Sequence, residues 1–200
     1  YVAYEAQAAN GQITLFKSVR AQDLWRKMLS MLFETGHPWI TFKDSCNIRS
    51  PQQHIGVVHS SNLCTEITLN TSDEEIAVCN LGSINIAQHL MEGKLDTEKL
   101  KRTVRTAVRM LDNVIDANKY AVDAIEEMTV STRKLGLGLM GFADMLVQLG
   151  IPYDTEDAVE LGRKLMAFIR DNADIESLAM AEERGPFPAW HDSEAAKRGD

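Results

Sequence analysis

The sequence predicts an α/β fold. Two patterns carry that expectation: apolar repeats at helical spacing that end in glycine or proline, and short apolar runs between them rich in β-branched, aromatic or glycine residues. No internal repeat, low-complexity stretch or Pro/Gly/Ser linker divides the chain. The first helix is expected over about 20–35, where Leu24, Trp25, Met28, Leu29 and Leu32 recur on one side and Gly36 with Pro38 ends the run. "PWITF", residues 38–42, reads as a short buried strand. Residues 44–66 hold turn formers, one proline and two histidines without a sustained period, so an irregular excursion is expected there. A connection that long is usually functional or disordered.

Beyond residue 93 the pattern turns helical. Asp96 can cap a long helix with Leu100, Val104, Val108, Leu111 and Ile115 on one face. A shorter helix is expected at "VDAIEEMTVS", with Glu126 and Glu127 on a solvated side. "KLGLGLMG" places Gly136, Gly138 and Gly141 among leucines, which suits a buried strand closely approached by another backbone. It lacks a Walker lysine and hydroxyl, and tight packing accounts for it better than a phosphate loop. "FADMLVQLG" is a helix closed by Gly150, and Asp154 is the expected cap of a last helix over about 155–183, stopped by Gly185 and Pro186. Met28, Met31, Met140, Met145, Met166 and Met180 lie in or beside apolar stripes and read as core filler.

Composition narrows the function. The 200 residues suit one large domain or two small ones, with 44% hydrophobic and 25% charged residues, as in ordinary globular proteins. A domain of that size buries roughly 70% of its unfolded surface. No apolar run approaches the ~20 residues of a membrane span and no signal-peptide pattern opens the chain. A net charge of −8 argues against a binder of DNA or RNA polymers, which needs a basic face, but leaves a small anionic substrate open. Three cysteines without scaffold spacing suit a reducing cytoplasm. The chain begins at Tyr1 and ends in "AAKRGD" just after Trp190, which reads as a buried anchor. Residues 1–200 are therefore expected to be an internal fragment, cut at both ends.

The chemistry gathers in "SSNLCTEITL", residues 60–69, which spaces an amide, a thiol and an acid two residues apart at Asn62, Cys64 and Glu66. On a straight strand these would share a face, yet at ~3.3 Å per residue the ends would stand about 13 Å apart, too far to grip one sugar-sized group. A curved loop tip is expected instead. A carboxylate beside a thiol disfavours the thiolate, whereas nucleophilic cysteines sit near His, Lys or a helix N-terminus. Glu66 makes better sense as a base for a substrate hydroxyl, Asn62 as its orienting partner, and Cys64 as a sulfur that acts through a radical. His59 lies five residues from Cys64 and keeps an ionic alternative open. His54 and His59 could join the cysteines around a metal, but separations of 18 and 15 positions, without a C-x-x-C pair, argue against structural zinc.

"NLCTEI", followed by Cys79 in "AVCNLGSIN", resembles the catalytic (large) subunit of the ribonucleotide reductases, class I most closely, and "RKLGLGLMGFADMLVQLGIPY" resembles a second block of that family. The resemblance implies a ten-stranded α/β barrel, catalytic in the whole subunit, with the radical cysteine on a central loop. It implies that Cys64 is the transient thiyl that takes the 3′ hydrogen of the ribose, that Glu66 takes the 3′-hydroxyl proton, and that Asn62 assists. Asn62, Leu63, Cys64, Thr65 and Glu66 would contact the substrate. Cys79 would be one redox-active thiol, with its partner cysteine outside this chain; Cys46 does not match that partner's place and reads as packing. No metal or cofactor is expected on this fragment, which alone should not turn over. The radical would come from a small metal-containing subunit or, in the class II alternative, from adenosylcobalamin. The other implied partners are a ribonucleotide, thioredoxin or glutaredoxin as reductant, and a second copy of the full subunit in a homodimer. A nucleotide-binding module that has kept the fold without the chemistry is the competing reading from another class.

Overall fold

The computed structural model describes residues 1–199 and divides them into two compact units, one of residues 1–42 with 63–65, the other of 43–62 with 66 onward. The first unit holds α1 (Val2–Ala9) and α2 (Ala21–Thr35), and neither helix has a buried residue. The expected helix is realised within a residue of its predicted start. Gly36 closes it at φ 75°, where its N–H reaches Leu32 O and where any Cβ would be strained. Its apolar stripe stays open, however: Leu24, Trp25 and Leu29 remain 41–51% exposed.

"PWITF" forms no strand. Trp39 and Phe42 are exposed, and the run has no ladder partner among the described residues, without which β-prone side chains have no pleated surface to pack on. The following stretch is less irregular than expected, because it opens with a helix, α3 (Lys43–Arg49). Seven residues are too few to show a period or to be stable alone. Side chains support it: Asn47 Nδ2 donates to Lys43 O, and Gln53 Nε2 donates to the C-terminal carbonyls of Asn47 and Ile48.

The core of the second unit is built on a parallel strand pair. Strand β1 (Leu81–Asn85) lies beside β4 (Gly136–Met140), pairing Leu81 with Gly136 through Asn85 with Met140. A tight hairpin of β2 (Leu90–Met91) and β3 (Lys94–Leu95) turns through Glu92 and Gly93, both at positive φ. Neither β1 nor this hairpin was legible in the sequence. The two sheets of the described residues have two strands each and are not closed, so the architecture is α/β without a completed barrel.

Helix α4 (Thr97–Ala117) follows the sequence pattern closely. Asp96 accepts from Lys99 N–H, and Leu100, Val104, Val108, Leu111 and Ile115 are all buried. Helices α5 (Asp123–Thr132) and α6 (Phe142–Leu149) also stand where expected, and Glu126 and Glu127 are exposed. Helix α7 (Glu156–Arg184) is capped by Thr155 rather than Asp154; the threonine hydroxyl accepts from Ala158 N–H. Asp154 lies one residue too early, in the preceding turn. Beyond Gly185 a half-buried Trp190 precedes a short helix, α8 (Glu194–Arg198).

Ile84, Ile86, Leu100, Val104, Met145, Leu165 and Ile169 form the centre of the core, with Leu137 and Leu139 packed against it. Of the methionines, Met145 and Met180 are buried, whereas Met31, Met140 and Met166 are 38–53% exposed and do not fill a core. A buried charge ties the helices together. Asp112, 8% exposed, accepts from Arg133 Nε at 2.8 Å and from Arg184 Nη1 at 2.9 Å, while Arg133 also grips Asp116. Hydrogen bonds from Arg133 hold the Asp116 carboxyl below its ordinary range.

Candidate active site

The segment that carries the thiol is not a strand but a loop folded on itself. Three hydrogen bonds pair residues evenly about position 64: Thr71 N–H to Val57 O at 3.2 Å, Ser61 Oγ to Ile67 O at 2.7 Å, and Asn62 Nδ2 to Glu66 Oε1 at 2.7 Å. A fourth, from Ile67 N–H to Asn62 Oδ1 at 3.1 Å, uses the other end of the same amide. The base is held from α3, where Asn47 donates to Val58 O at 2.8 Å and accepts from Val58 N–H at 2.9 Å. Side-chain amides and a hydroxyl thus do most of the work that a backbone ladder does in a hairpin.

At the turn, residues 63–65, the chain reverses, and Thr65 adopts φ 65°. A β-branched residue in the left-handed region costs about 1–3 kcal/mol and persists only where its surroundings impose it. The bonds between 62 and 66 and between 61 and 67 are such an imposition. Cys64 and Leu63 are exposed on this turn, as are Asn62 and Glu66. The curvature expected from the spacing is therefore present, and Asn62 and Glu66, far apart on a straight strand, are in direct contact. Glu66 uses Oε1 in this bond, and its Oε2 takes part in no hydrogen bond among the described residues. His59, the residue of the ionic alternative, has its Nδ1 3.2 Å from Lys43 Nζ, so that side of its ring is already engaged.

Cys79 precedes β1. The residue is exposed, yet partial burial of its sulfur and then the negative charge of Glu66 push its thiol pKa up. The same carboxylate therefore bonds Asn62 and acts on Cys79. Strand β1 alternates, with Gly82 and Ile84 turned inward and Leu81 and Ser83 outward. On the Leu81 and Ser83 side, β4 contributes Gly136 and Gly138. The Leu81 side chain, rather than the backbone that the glycines suggested, occupies the space a Cβ at Gly136 would need, and β4 is half-buried rather than buried. Cys46, half-buried in α3, is a free thiol like the other two.

Among the described residues no three His, Cys, Asp or Glu side chains gather where they could hold a metal ion. A groove of about 540 Å³ beside α4, lined by Arg105, Arg109, Met110 and Glu176, includes none of Asn62, Cys64, Glu66 and Cys79. Among the described residues no helix is long and apolar enough to cross a membrane.

Comparison with known proteins gives this arrangement a context. Residues 1–199 match the family model described as ribonucleotide reductase, barrel domain. The chain belongs to the ribonucleotide reductase family. The ribonucleoside-diphosphate reductase subunit alpha of Chlamydia pneumoniae is 52% identical over 193 residues, 96% of this chain and 18% of that protein. The vitamin B12-dependent ribonucleoside-diphosphate reductase of Thermoplasma acidophilum is 44% identical over 186 residues, covering 92% of this chain and 24% of that reductase. Among solved structures, the Actinobacillus ureae class Id ribonucleotide reductase alpha subunit superposes with a TM-score of 0.73 at 26% identity, over 84% of this chain and 33% of the other. The chain thus spans about a fifth to a third of the reductases it matches.

Sequence reasoning missed two residues that organise the site. Asn47 looked like one more turn former, although an asparagine on a helix facing a later extended segment can satisfy both the N–H and the C=O of one residue. Asn80 was passed over beside its cysteine. Its side chain donates to Leu111 O in α4 at 2.5 Å, and its backbone carbonyl accepts from Gly136 N–H at 2.9 Å.

Proposed function

We propose that this chain carries the thiol loop of a ribonucleotide reductase large subunit, and that the complete subunit reduces ribonucleoside diphosphates to deoxyribonucleotides through a thiyl radical on Cys64. The observation that carries the reading is the Asn62–Glu66 hydrogen bond across the turn that bears Cys64. It joins an acid and an amide that lie two residues after and two residues before an exposed cysteine, the groups needed to deprotonate a hydroxyl while a C–H bond on the same carbon is broken homolytically.

The steps balance on groups of this chain together with one partner cysteine outside it. The Cys64 thiyl takes the hydrogen from C3′ and becomes a thiol, leaving a carbon radical. Glu66 accepts the 3′-hydroxyl proton, and Asn62 keeps one carboxylate oxygen fixed so that the other is available. The 2′-hydroxyl then departs as water, taking a proton from a thiol. Cys79 suits that donation because its raised pKa keeps it protonated at neutral pH. Cys79 and a partner cysteine outside this chain together give two electrons and two protons and end as a disulfide. Hydrogen returns from Cys64 to C3′, which restores the thiyl. Backbone groups of Leu63 and Thr65, with Asn62, Cys64 and Glu66, form the surface that meets the sugar. Thioredoxin or glutaredoxin reduces the disulfide, in a reducing cytoplasm.

A small metal-containing subunit supplies the one-electron oxidation of Cys64 in the class I reading, as the relatedness to the chlamydial alpha subunits favours, and the large subunit pairs with a second copy of itself. Adenosylcobalamin is the second reading, favoured by the 44% identity to a B12-dependent enzyme. The test is Cys64→Ser in the complete subunit. The expected result is loss of deoxyribonucleotide formation with nucleotide binding intact; reduction at the wild-type rate would remove the assignment.

A further inference from the structure

We infer that Asn80 is a positioning residue for the Cys79 thiol, fixing which face of β1 the sulfur occupies; the inference rests on the redox role proposed above for Cys79. Asn80 is braced twice. Its amide reaches across to the Leu111 carbonyl of α4, and its own carbonyl accepts from Gly136 N–H, one residue before the ladder between β1 and β4 begins. Leu111 is a core residue, 3% exposed, and its side chain lies 3.5 Å from the place a Cβ on Gly82 would take. Asn80, Gly82 and Ile84 therefore form the face of the chain directed at α4 and the core.

Because side chains alternate along an extended segment, the residue before Asn80 is sent to the opposite face. That residue is Cys79, an exposed residue that alternation places with Leu81 and Ser83 on the outward side, where Gly136 and Gly138 of β4 pair with those two residues and where the Glu66 charge acts. A slip of one residue would exchange the two faces and turn the sulfur toward α4. Apolar patterning alone opposes that slip weakly at this end of the strand, since Leu81 is itself 54% exposed and Gly82 has no side chain to bury. The Asn80 amide supplies the discrimination: among the described residues its acceptor, the Leu111 carbonyl, lies on the helix side.

The complete subunit tests this with Asn80→Asp, which keeps the shape but loses the donor, alongside Asn80→Gln and Cys79→Ser. Two rates are read, deoxyribonucleotide formation with a dithiol reductant and exchange of the 3′ hydrogen, which needs Cys64 but not Cys79. Asn80→Asp is expected to slow product formation roughly tenfold, equivalent to about 1.4 kcal/mol of barrier, with exchange kept within about twofold. Asn80→Gln, which retains the donor, should recover part of the loss. Wild-type product formation in Asn80→Asp, with Cys79→Ser inactive, would overturn the brace and leave the thiol's role standing. Full activity in Cys79→Ser would overturn the thiol's role and the brace with it. An equal fall in both rates, accompanied by a lower melting temperature, would mark Asn80 as merely structural and overturn the inference.

Discussion

The loop over residues 57–71 and the block of β1, β4, α4 and α7 are held together by different means. The block is secured by apolar burial: Leu100 and Val104 are fully buried, and the strand pair is continuous over five residues on each side. The loop has no regular secondary structure, its central residues are exposed, and it keeps its shape through Asn47, Ser61, Asn62 and Glu66. Burial is strong and indifferent to direction, whereas hydrogen bonds in water contribute only about 1 kcal/mol each but fix geometry. The contrast teaches that stability and the proposed chemistry occupy separate places in this chain. Substitutions in the block should unfold it, while substitutions in the loop should disarm it.

The largest effect on stability is expected from Leu100→Ala. Cutting a fully buried leucine to alanine costs about 2–5 kcal/mol, read as a lower urea midpoint with an unchanged denaturant slope. Next comes Asp112→Asn, which leaves Arg133 and Arg184 facing a neutral amide. A loss of about 1–3 kcal/mol is expected from weakening charge-assisted bonds to a buried carboxylate, and the Asn113→Ala control should lose far less. Lys134 supplies a pH test within the block. Burial lowers its pKa to about 8, below the ordinary value of 10.5. Between those values the unfolded chain binds the proton that the folded chain has released, so stability should rise with pH across that window. Lys134→Met should flatten the rise and raise stability at pH 7; an unchanged alkaline slope would contradict it. The smallest stability effect belongs to Asn62→Ala, within about 0.5 kcal/mol as at other exposed sites. The same variant should abolish most nucleotide reduction in the complete subunit. An Asn62→Ala variant that unfolded like Leu100→Ala would erase the distinction between the two regions.

What the sequence revealed follows the same division. Helix α4 could be read residue by residue because its signals are local: an aspartate cap and five apolar residues at 3.6 spacing. The glycines of β4 were legible as a close approach for a similar reason, since only a missing Cβ lets Leu81 lie there. Strand β1 went unread because its pattern of exposed Leu81, inward Gly82 and outward Ser83 shows almost no apolar alternation, and its partner lies 55 positions away in register. "PWITF" misled in the opposite sense, having the residue types of a strand without a neighbour to pair with. In the candidate site, the need for curvature was legible from the spacing of Asn62, Cys64 and Glu66, whereas their assignment came from the family resemblance. Asn47 and Asn80 were not legible, because their partners Val58 and Leu111 are backbone groups that any sequence would present.

The central claim is that Cys64 breaks a carbon–hydrogen bond of the sugar by homolysis, and the fate of that hydrogen tests it most directly. With a ribonucleotide carrying deuterium at C3′, the complete subunit should turn over more slowly than with the unlabelled substrate and should release part of the label to solvent, and Cys64→Ser should release none. Quantitative retention of deuterium at C3′ with no rate difference would contradict the account and return Cys64 to ionic chemistry.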